Sequence, residues 1–378
     1  MSPLPMSPLP LSQIPLSRSG VPVERGGGRG RRSIAPVLVV RSPLQVEHHP
    51  KELHPFGGEL LPPREVPRRA EVILAAIEES GSSRVVDAGP LDLGLLARVH
   101  SPEYLAFLET AHARWCERTG LADGEATPFV RPYLGVPFAA TDDVLAQLGR
   151  FSHDSDPLLA GTWRAATGSA ASAVDATSAV LSGERVAYSL SRPPGHHAAP
   201  ASFGGFCYLN NVAVAAERAL LAGARVATLD VDAHAGNGTQ AVFWDRDDVL
   251  CVSLHADPAH EYPYFAGHHD EIGTGAGEGF NLNLPLAPRS GWDTYGPALD
   301  TALRRVAEHG TEVLVVALGV DTAIEDGVLA FGEDDFRRLG STLADTGLPT
   351  VLVQEGGYDL DVLGRNVVAV LDGFAQHA

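Results

Sequence analysis

Six short segments of this chain are apolar on consecutive residues rather than alternate ones: 37–40, 185–190, 225–230, 249–254, 312–318 and 349–354. No other feature restricts the fold as much. A strand covered on both faces reads this way, whereas a strand with one wet face alternates. Between these runs lie stretches with apolar residues three and four apart, among them 211–221, 294–306 and 334–343. The βαβα alternation predicts an α/β fold in which helices flank a mostly parallel central sheet. The chain has 378 residues, no second core-forming pattern and no repeat of solenoid period, so a single catalytic-size domain over 36–378 is expected.

Two regions depart from the alternation. Residues 1–35 repeat Met-Ser-Pro-Leu-Pro and then run into Arg25-Gly-Gly-Gly-Arg-Gly-Arg-Arg32. Prolines interrupt each apolar run there, so the segment lacks the apolar stretch of a secretory signal and reads as a disordered leader. Residues 112–160 are rich in Pro, Gly, Asp and Thr, the composition of a long functional or contact-forming insert.

Composition narrows the function. With 28 Lys and Arg against 47 Asp and Glu, the net charge is −19, which argues against a nucleic-acid binder and agrees with a cationic ligand. No window reaches the ~18 apolar residues of a membrane span. Cys116, Cys207 and Cys251 form no C-x-x-C pair, which disfavours a disulfide framework or a cysteine zinc knuckle and points to a reducing, cytoplasmic setting. Metal ligands, if any, must be His and carboxylate.

Polar residues then fall at one recurrent place. Five of the apolar runs are followed directly by chemistry-bearing residues: His196-His197, Asp230-Val-Asp232-Ala-His234, His255 with Asp257, Asp321 and Tyr358. In open parallel sheets, ligands bind beyond the carboxyl ends of the strands, so five such coincidences read as one site. Asp232 and His234 are two apart, so an extended segment would present both on one face. With Asp321 they make an Asp–His–Asp set able to hold a divalent cation and leave a position open for water. Zinc, iron(II), cobalt and manganese all suit such donors. His196 and His197 could serve as general base and acid, or one of them as a further ligand. The Tyr358 phenol could stabilise an oxyanion, and Gly205-Phe206 could wall a substrate tunnel.

These residues together resemble the zinc-dependent histone deacetylase superfamily, of arginase–deacetylase fold. The matching motifs are Arg192-Pro-Pro-Gly-His-His-Ala198, Gly205-Phe-Cys-Tyr-Leu-Asn-Asn211, Leu229-Asp-Val-Asp-Ala-His234, Gly236-Asn-Gly-Thr-Gln240 and Glu355-Gly-Gly-Tyr358. Within it the chain looks closest to bacterial acetylpolyamine amidohydrolases, through Gly57-Gly-Glu-Leu-Leu-Pro-Pro63, Gly161-Thr-Trp163, Ser253-Leu-His-Ala-Asp-Pro258 with Tyr262-Pro-Tyr-Phe265, and Leu318-Gly-Val-Asp-Thr322.

The resemblance implies zinc held by Asp232, His234 and Asp321, and a general base and acid at His197. His196 would be its electrostatic partner, oriented by Asp230, and Tyr358 would polarise the carbonyl. Phe206, Tyr262 and Gly205 would line the tunnel. It further implies a structural potassium ion near Asp230, Asp232, His234, Ser253 and Leu254, a small cationic acetylated amine as substrate, and a homodimer formed through the 112–160 insert.

Two positions depart from the family pattern. Ala235 stands where a second histidine is usual, and the insert shows no clear acidic receptor for a distal ammonium; Asp142 and Asp143 are the nearest substitutes. The expected activity is deacetylation of acetylated polyamines. The competing readings are an acetyl-lysine protein deacetylase, a catalytically weak metal-containing module that binds acetylated ligands, and an unrelated nucleotide-binding α/β protein. The last lacks a G-x-G-x-x-G or P-loop after the first strand.

Overall fold

The computed structural model describes residues 36–377 except 53, 57–58 and 130–140. The leader at 1–35, the glycines of the Gly57-Gly58 motif and the middle of the insert lie outside the described residues. The central sheet takes eight strands. They are β1 (Val37–Arg41), β4 (Ser83–Asp87), β5 (Val186–Leu190), β6 (Val226–Asp230), β7 (Val249–Ala256), β8 (Asn281–Leu286), β9 (Val313–Leu318) and β10 (Thr350–Gln354). β2 (His54–Phe56) and β3 (Glu59–Leu61) form a separate antiparallel pair. The sheet order is β4-β1-β5-β10-β9-β6-β7-β8, and every pairing in it is parallel.

All six consecutive-apolar runs are strands of this sheet. The two strands outside that set, β4 and β8, are its two edges. The reason is burial. In the central strands alternate residues enter two different cores: Val313, Val315 and Ala317 join one, while Leu314, Val316 and Leu318 join the other. An edge strand is covered less, so Ser83-Arg-Val-Val-Asp87 has only two apolar residues and Asn281-Leu-Asn-Leu alternates. Pro285 also fits an edge, where a missing ladder N–H is tolerated.

One face is covered by helices that include α2 (Leu93–Val99), α3 (Pro102–Thr119), α4 (Val144–Arg150), α5 (Thr162–Leu181) and α6 (Asn211–Leu220). The other face packs against α1 (Arg68–Ser80), α8 (Trp292–His309), α9 (Glu333–Asp345) and α10 (Leu363–His377). A short α7 (Asn237–Phe243) follows β6. Within the insert, residues 112–119 continue α3 and 144–150 form α4, so its irregular portion is shorter than composition suggests. Register sets the strand ends level: Asp230 pairs with Ala317 on one side and Ser253 on the other, and Gln354 pairs with Leu318.

Candidate active site

The five strands that carry candidate residues are contiguous in the sheet, in the order β5-β10-β9-β6-β7. The segments after β5, β10, β9 and β6 bring their candidate side chains to one place, whereas His255 lies inside β7, bonded to Ser253 and Gly267, and Asp257 accepts from Ala259 N, so neither joins them. Asp232, His234 and Asp321 offer ligand atoms within 4.8 Å of one another. His234 Nδ1 lies 3.1 Å from Asp232 Oδ1 and 3.1 Å from Asp321 Oδ2. Two-residue spacing predicts Asp232 and His234 on one face of an extended segment. In the structure the strand ends at Asp230 and the chain bends, and the two side chains meet through that bend instead.

Backbone N–H groups fix both carboxylates. Asp232 Oδ2 accepts from Gly356 N (2.7 Å), its Oδ1 accepts from His234 N (2.9 Å), and Asp321 Oδ1 accepts from Ala233 N (3.0 Å). Residue 356 must be glycine, because a Cβ there would collide with the carboxylates of Asp321 and Asp232. Asp321 is only 1% exposed, and its Oδ2 takes no backbone N–H donor but faces the same His234 Nδ1 that Asp232 Oδ1 faces. Two buried carboxylates converging on one imidazole nitrogen call for a cation. Burial opposes charge on His234, but its bonds to Asp232 and Asp321 outweigh that and hold its imidazole well above the usual range. A site that draws a proton so strongly favours positive charge, and three O/N donors with no sulfur suit a divalent metal.

The tandem histidines follow β5. Glu355, just past β10, accepts from Gly195 N (2.6 Å) and His196 N (3.0 Å), tying the two loops together. His196 Nδ1 lies 2.9 Å from Asp230 Oδ2; burial works against its charge, but Asp230 and Asp232 carry it up to about 10. His197 Nδ1 lies 2.6 Å from Asn237 Oδ1, and burial together with the neighbouring His196 and His234 pushes it well below its usual value. The amide oxygen of Asn237 accepts, so Nδ1 carries the proton and Nε2 is the free base. A second potential ligand group, His196, Cys207 and Glu355, is buried behind the site. There His196 is committed to Asp230 and Glu355 Oε2 to backbone N–H groups, while burial raises the Glu355 carboxyl to about 8 and so favours a proton on it.

A cavity opens over these residues, lined by His197, His234, Tyr358, Phe206, Gly205 and Tyr262, the expected tunnel residues among them. Gly205 has φ +59°, and a Cβ there would strike the His197 ring. The His197 and Tyr262 rings stand 5.0 Å apart, and those of Phe206 and Tyr358 stand 5.6 Å apart. Burial raises the Tyr358 phenol well above its usual value, so it stays protonated and can donate.

Asp142 and Asp143 do not reach this cavity: Asp143 caps α4 through Leu145 N (2.9 Å) and pairs with Arg118 (3.1 Å). The wall instead carries Asp154 and Asp156. Asp156 Oδ1 accepts from Phe206 N (3.1 Å), while its Oδ2 is buried with no partner. Burial, then Asp154, raises its carboxyl well above the usual range. No sequence period marks these two; Asp-x-Asp just before Pro157 in an otherwise irregular stretch was the only available signal.

Known proteins resemble this chain over most of its length. The histone deacetylase domain matches residues 63–374. An acetylpolyamine amidohydrolase of Mycoplana ramosa is 43% identical over 324 residues, covering 85% of this chain and 94% of that protein. Acetylpolyamine amidohydrolase 1 of Pseudomonas aeruginosa is 45% identical over 323 residues, covering 84% and 93%. The crystal structure of an acetylpolyamine aminohydrolase from Burkholderia pseudomallei, 41% identical, superposes with a TM-score of 0.82 over 89% of this chain and 98% of that one.

Proposed function

The chain belongs to the histone deacetylase family, and we propose that it hydrolyses the acetyl amide of acetylated polyamines, giving acetate and a free amine. The observation that carries this reading is the meeting of an Asp–His–Asp set, tandem histidines and a phenol around one cavity whose wall also holds two carboxylates. The family is metal-dependent, generally on zinc. Asp232, His234 and Asp321 are the proposed zinc ligands. When bound, the metal would supply Lewis acidity toward the acetyl carbonyl and the attacking water.

The chain's own groups then have distinct tasks. His197, neutral and free at Nε2, accepts the proton of the attacking water. His196, held as a cation by Asp230, stabilises the negative charge that develops beside it, and protonated His197 or His196 returns a proton to the departing amine. Tyr358 donates its phenolic hydrogen to the carbonyl oxygen as it gains charge. Phe206, Tyr262 and Gly205 enclose the methylene chain and exclude water. Asp154 and Asp156 face the distal ammonium; the buried, unpaired Oδ2 of Asp156 supports that role. The presence of all three catalytic side chains weighs against a mere binding module.

A potassium ion beneath the site is part of the same reading, with backbone around Asp230, Asp232, His234, Ser253 and Leu254 as its donors. The orientation of Ser253 supports it. His255 Nε2 lies 2.8 Å from Gly267 O, so it carries the ring's proton. Nδ1 then accepts from Ser253 Oγ (2.7 Å) and leaves the hydroxyl lone pairs for a cation.

A homodimer through the 112–160 insert is likewise proposed; the exposed Leu121 and Phe129 in that segment support it. Among the described residues no helix is long and apolar enough to cross a membrane. Three free cysteines suit the proposed cytoplasmic setting.

The deciding experiment compares acetylputrescine and acetylcadaverine with an acetyl-lysine peptide on purified, zinc-loaded enzyme. The diamines should give the higher kcat/KM by at least about tenfold, the difference of one charge-assisted contact. A peptide hydrolysed equally well would make it a protein deacetylase.

A further inference from the structure

Tyr358 lies on an irregular segment between β10 and α10, next to Gly356 and Gly357, and Gly357 has φ +121°. Such a backbone has little stiffness of its own. A phenol that must meet a developing oxyanion therefore needs something outside the segment to hold it.

We propose that Asp326, paired with Arg64, is the positioning residue that places the Tyr358 phenol for catalysis. Asp326 lies five residues beyond Asp321 on the loop after β9, and its side chain is only 3% exposed. One of its oxygens, Oδ1, receives three donors: Tyr358 N at 3.1 Å, Asp359 N at 3.1 Å and Arg64 Nη2 at 3.3 Å. The same Arg64 guanidinium lies 5.0 Å from the centre of the Tyr358 ring. Backbone and ring are thus gripped through one ion pair. Arg69 completes the support, donating to Gly357 O and Glu355 O at 2.6 Å each, with its guanidinium 4.6 Å from the ring centre. Asp326 does not line the cavity, and its hydrogen bonds go to Arg64 and to the backbone of Tyr358 and Asp359, so it acts through Tyr358. The inference rests on the catalytic role proposed for that tyrosine.

The test uses full-length, zinc-loaded enzyme with acetylputrescine. Asp326→Ala should lower kcat by about 30- to 100-fold, as expected for a reacting group displaced by about 1 Å. KM and zinc content should stay near wild type. Asp326→Asn, whose amide oxygen can still accept both backbone N–H groups, should stay within about threefold of wild type. Added to Tyr358→Phe, Asp326→Ala should cost no more than about twofold further, because the group it positions is already gone. If Asp326→Ala does not fold, Arg64→Ala asks the same question, slowing the wild type several-fold and leaving Tyr358→Phe unchanged. Wild-type kcat in Asp326→Ala, or an equal loss in the Tyr358→Phe background, overturns the positioning role alone. A full rate in Tyr358→Phe itself overturns the assignment of the phenol, and the positioning role falls with it.

Discussion

The rings of His196 and His197 stand 4.0 Å apart, yet they favour opposite charge states. Burial opposes charge on both rings; the carboxylates of Asp230 and Asp232 overcome it at His196, whereas at His197 the neutral amide oxygen of Asn237 does not. A cation beside His197 further disfavours its protonation, so the pair divides into one fixed charge and one available base. His197→Ala should therefore lose about 10²- to 10⁴-fold in kcat with bound metal retained, the usual worth of a positioned acid–base group. Turnover within tenfold of wild type would place the base elsewhere.

Removing the metal should silence the enzyme and also soften it. Asp232 and Asp321 are buried carboxylates that face each other across His234, so without a divalent cation their repulsion is relieved only by protons. Dialysis against a chelator should abolish hydrolysis and lower Tm, and zinc or cobalt should restore both. Asp321→Ala should copy the chelated state and resist rescue. Undiminished hydrolysis by protein verified to be metal-free would end the metal reading.

Substrate charge should be read at Asp156. Its Oδ2 is buried without a partner, while Oδ1 holds Phe206 N. Asp156→Asn keeps the second contact and removes the carboxylate that a bound ammonium would draw into its charged form. It should cut kcat/KM for acetylputrescine by about 10- to 100-fold, the range of a charge-assisted hydrogen bond. An acetylated monoamine of equal length with no second ammonium should lose far less. Equal losses on both substrates would show Asp156 to be structural only.

The absence of a second histidine at position 235 has a steric explanation. Ala235 is 2% exposed and packs so closely on Gly267 that a Cβ on that glycine would lie 2.5 Å from its methyl. An imidazole does not fit. Ala235→His should destabilise the protein by about 1–3 kcal/mol, the cost of overpacking a filled interior. An unchanged denaturation midpoint would mean that the loop at Gly267 yields freely.

Acid sensitivity should arise partly at His100, which is not among the proposed metal ligands. It is buried, with Nδ1 3.0 Å from Ala199 O and Nε2 accepting from Asn210 N at 2.9 Å, and burial takes it down to about 4. The unfolded chain binds the proton near 6.5, so stability from this site is fully present above that pH and is lost as pH falls toward 4. Over that window the loss amounts to at most about 3 kcal/mol. Comparing Tm at pH 7 and pH 5, His100→Gln should show a smaller drop than wild type. Parallel drops would remove His100 from the acid response.

The α/β class, the covered strands and the candidate residues that meet around the cavity were legible in the order of amino acids. Each depends on local pattern: consecutive apolar residues where both faces are buried, and polar residues just past a strand's carboxyl end. The edge strands β4 and β8 escaped because partial exposure removes that pattern. Asp154, Asp156, Asn237 and Glu355 acquire their roles only in three dimensions. Nothing local distinguishes an aspartate that walls a cavity from Asp143, which caps a helix, since the partner of each lies elsewhere in the chain. The same holds for Asp326 and Arg64, which meet across 262 residues of sequence. Sequence determined which chemical groups are delivered to the sheet's carboxyl edge. Tertiary structure decided which of them touch, because charge state, ligand geometry and the hold on Tyr358 depend on distances that chain order does not set.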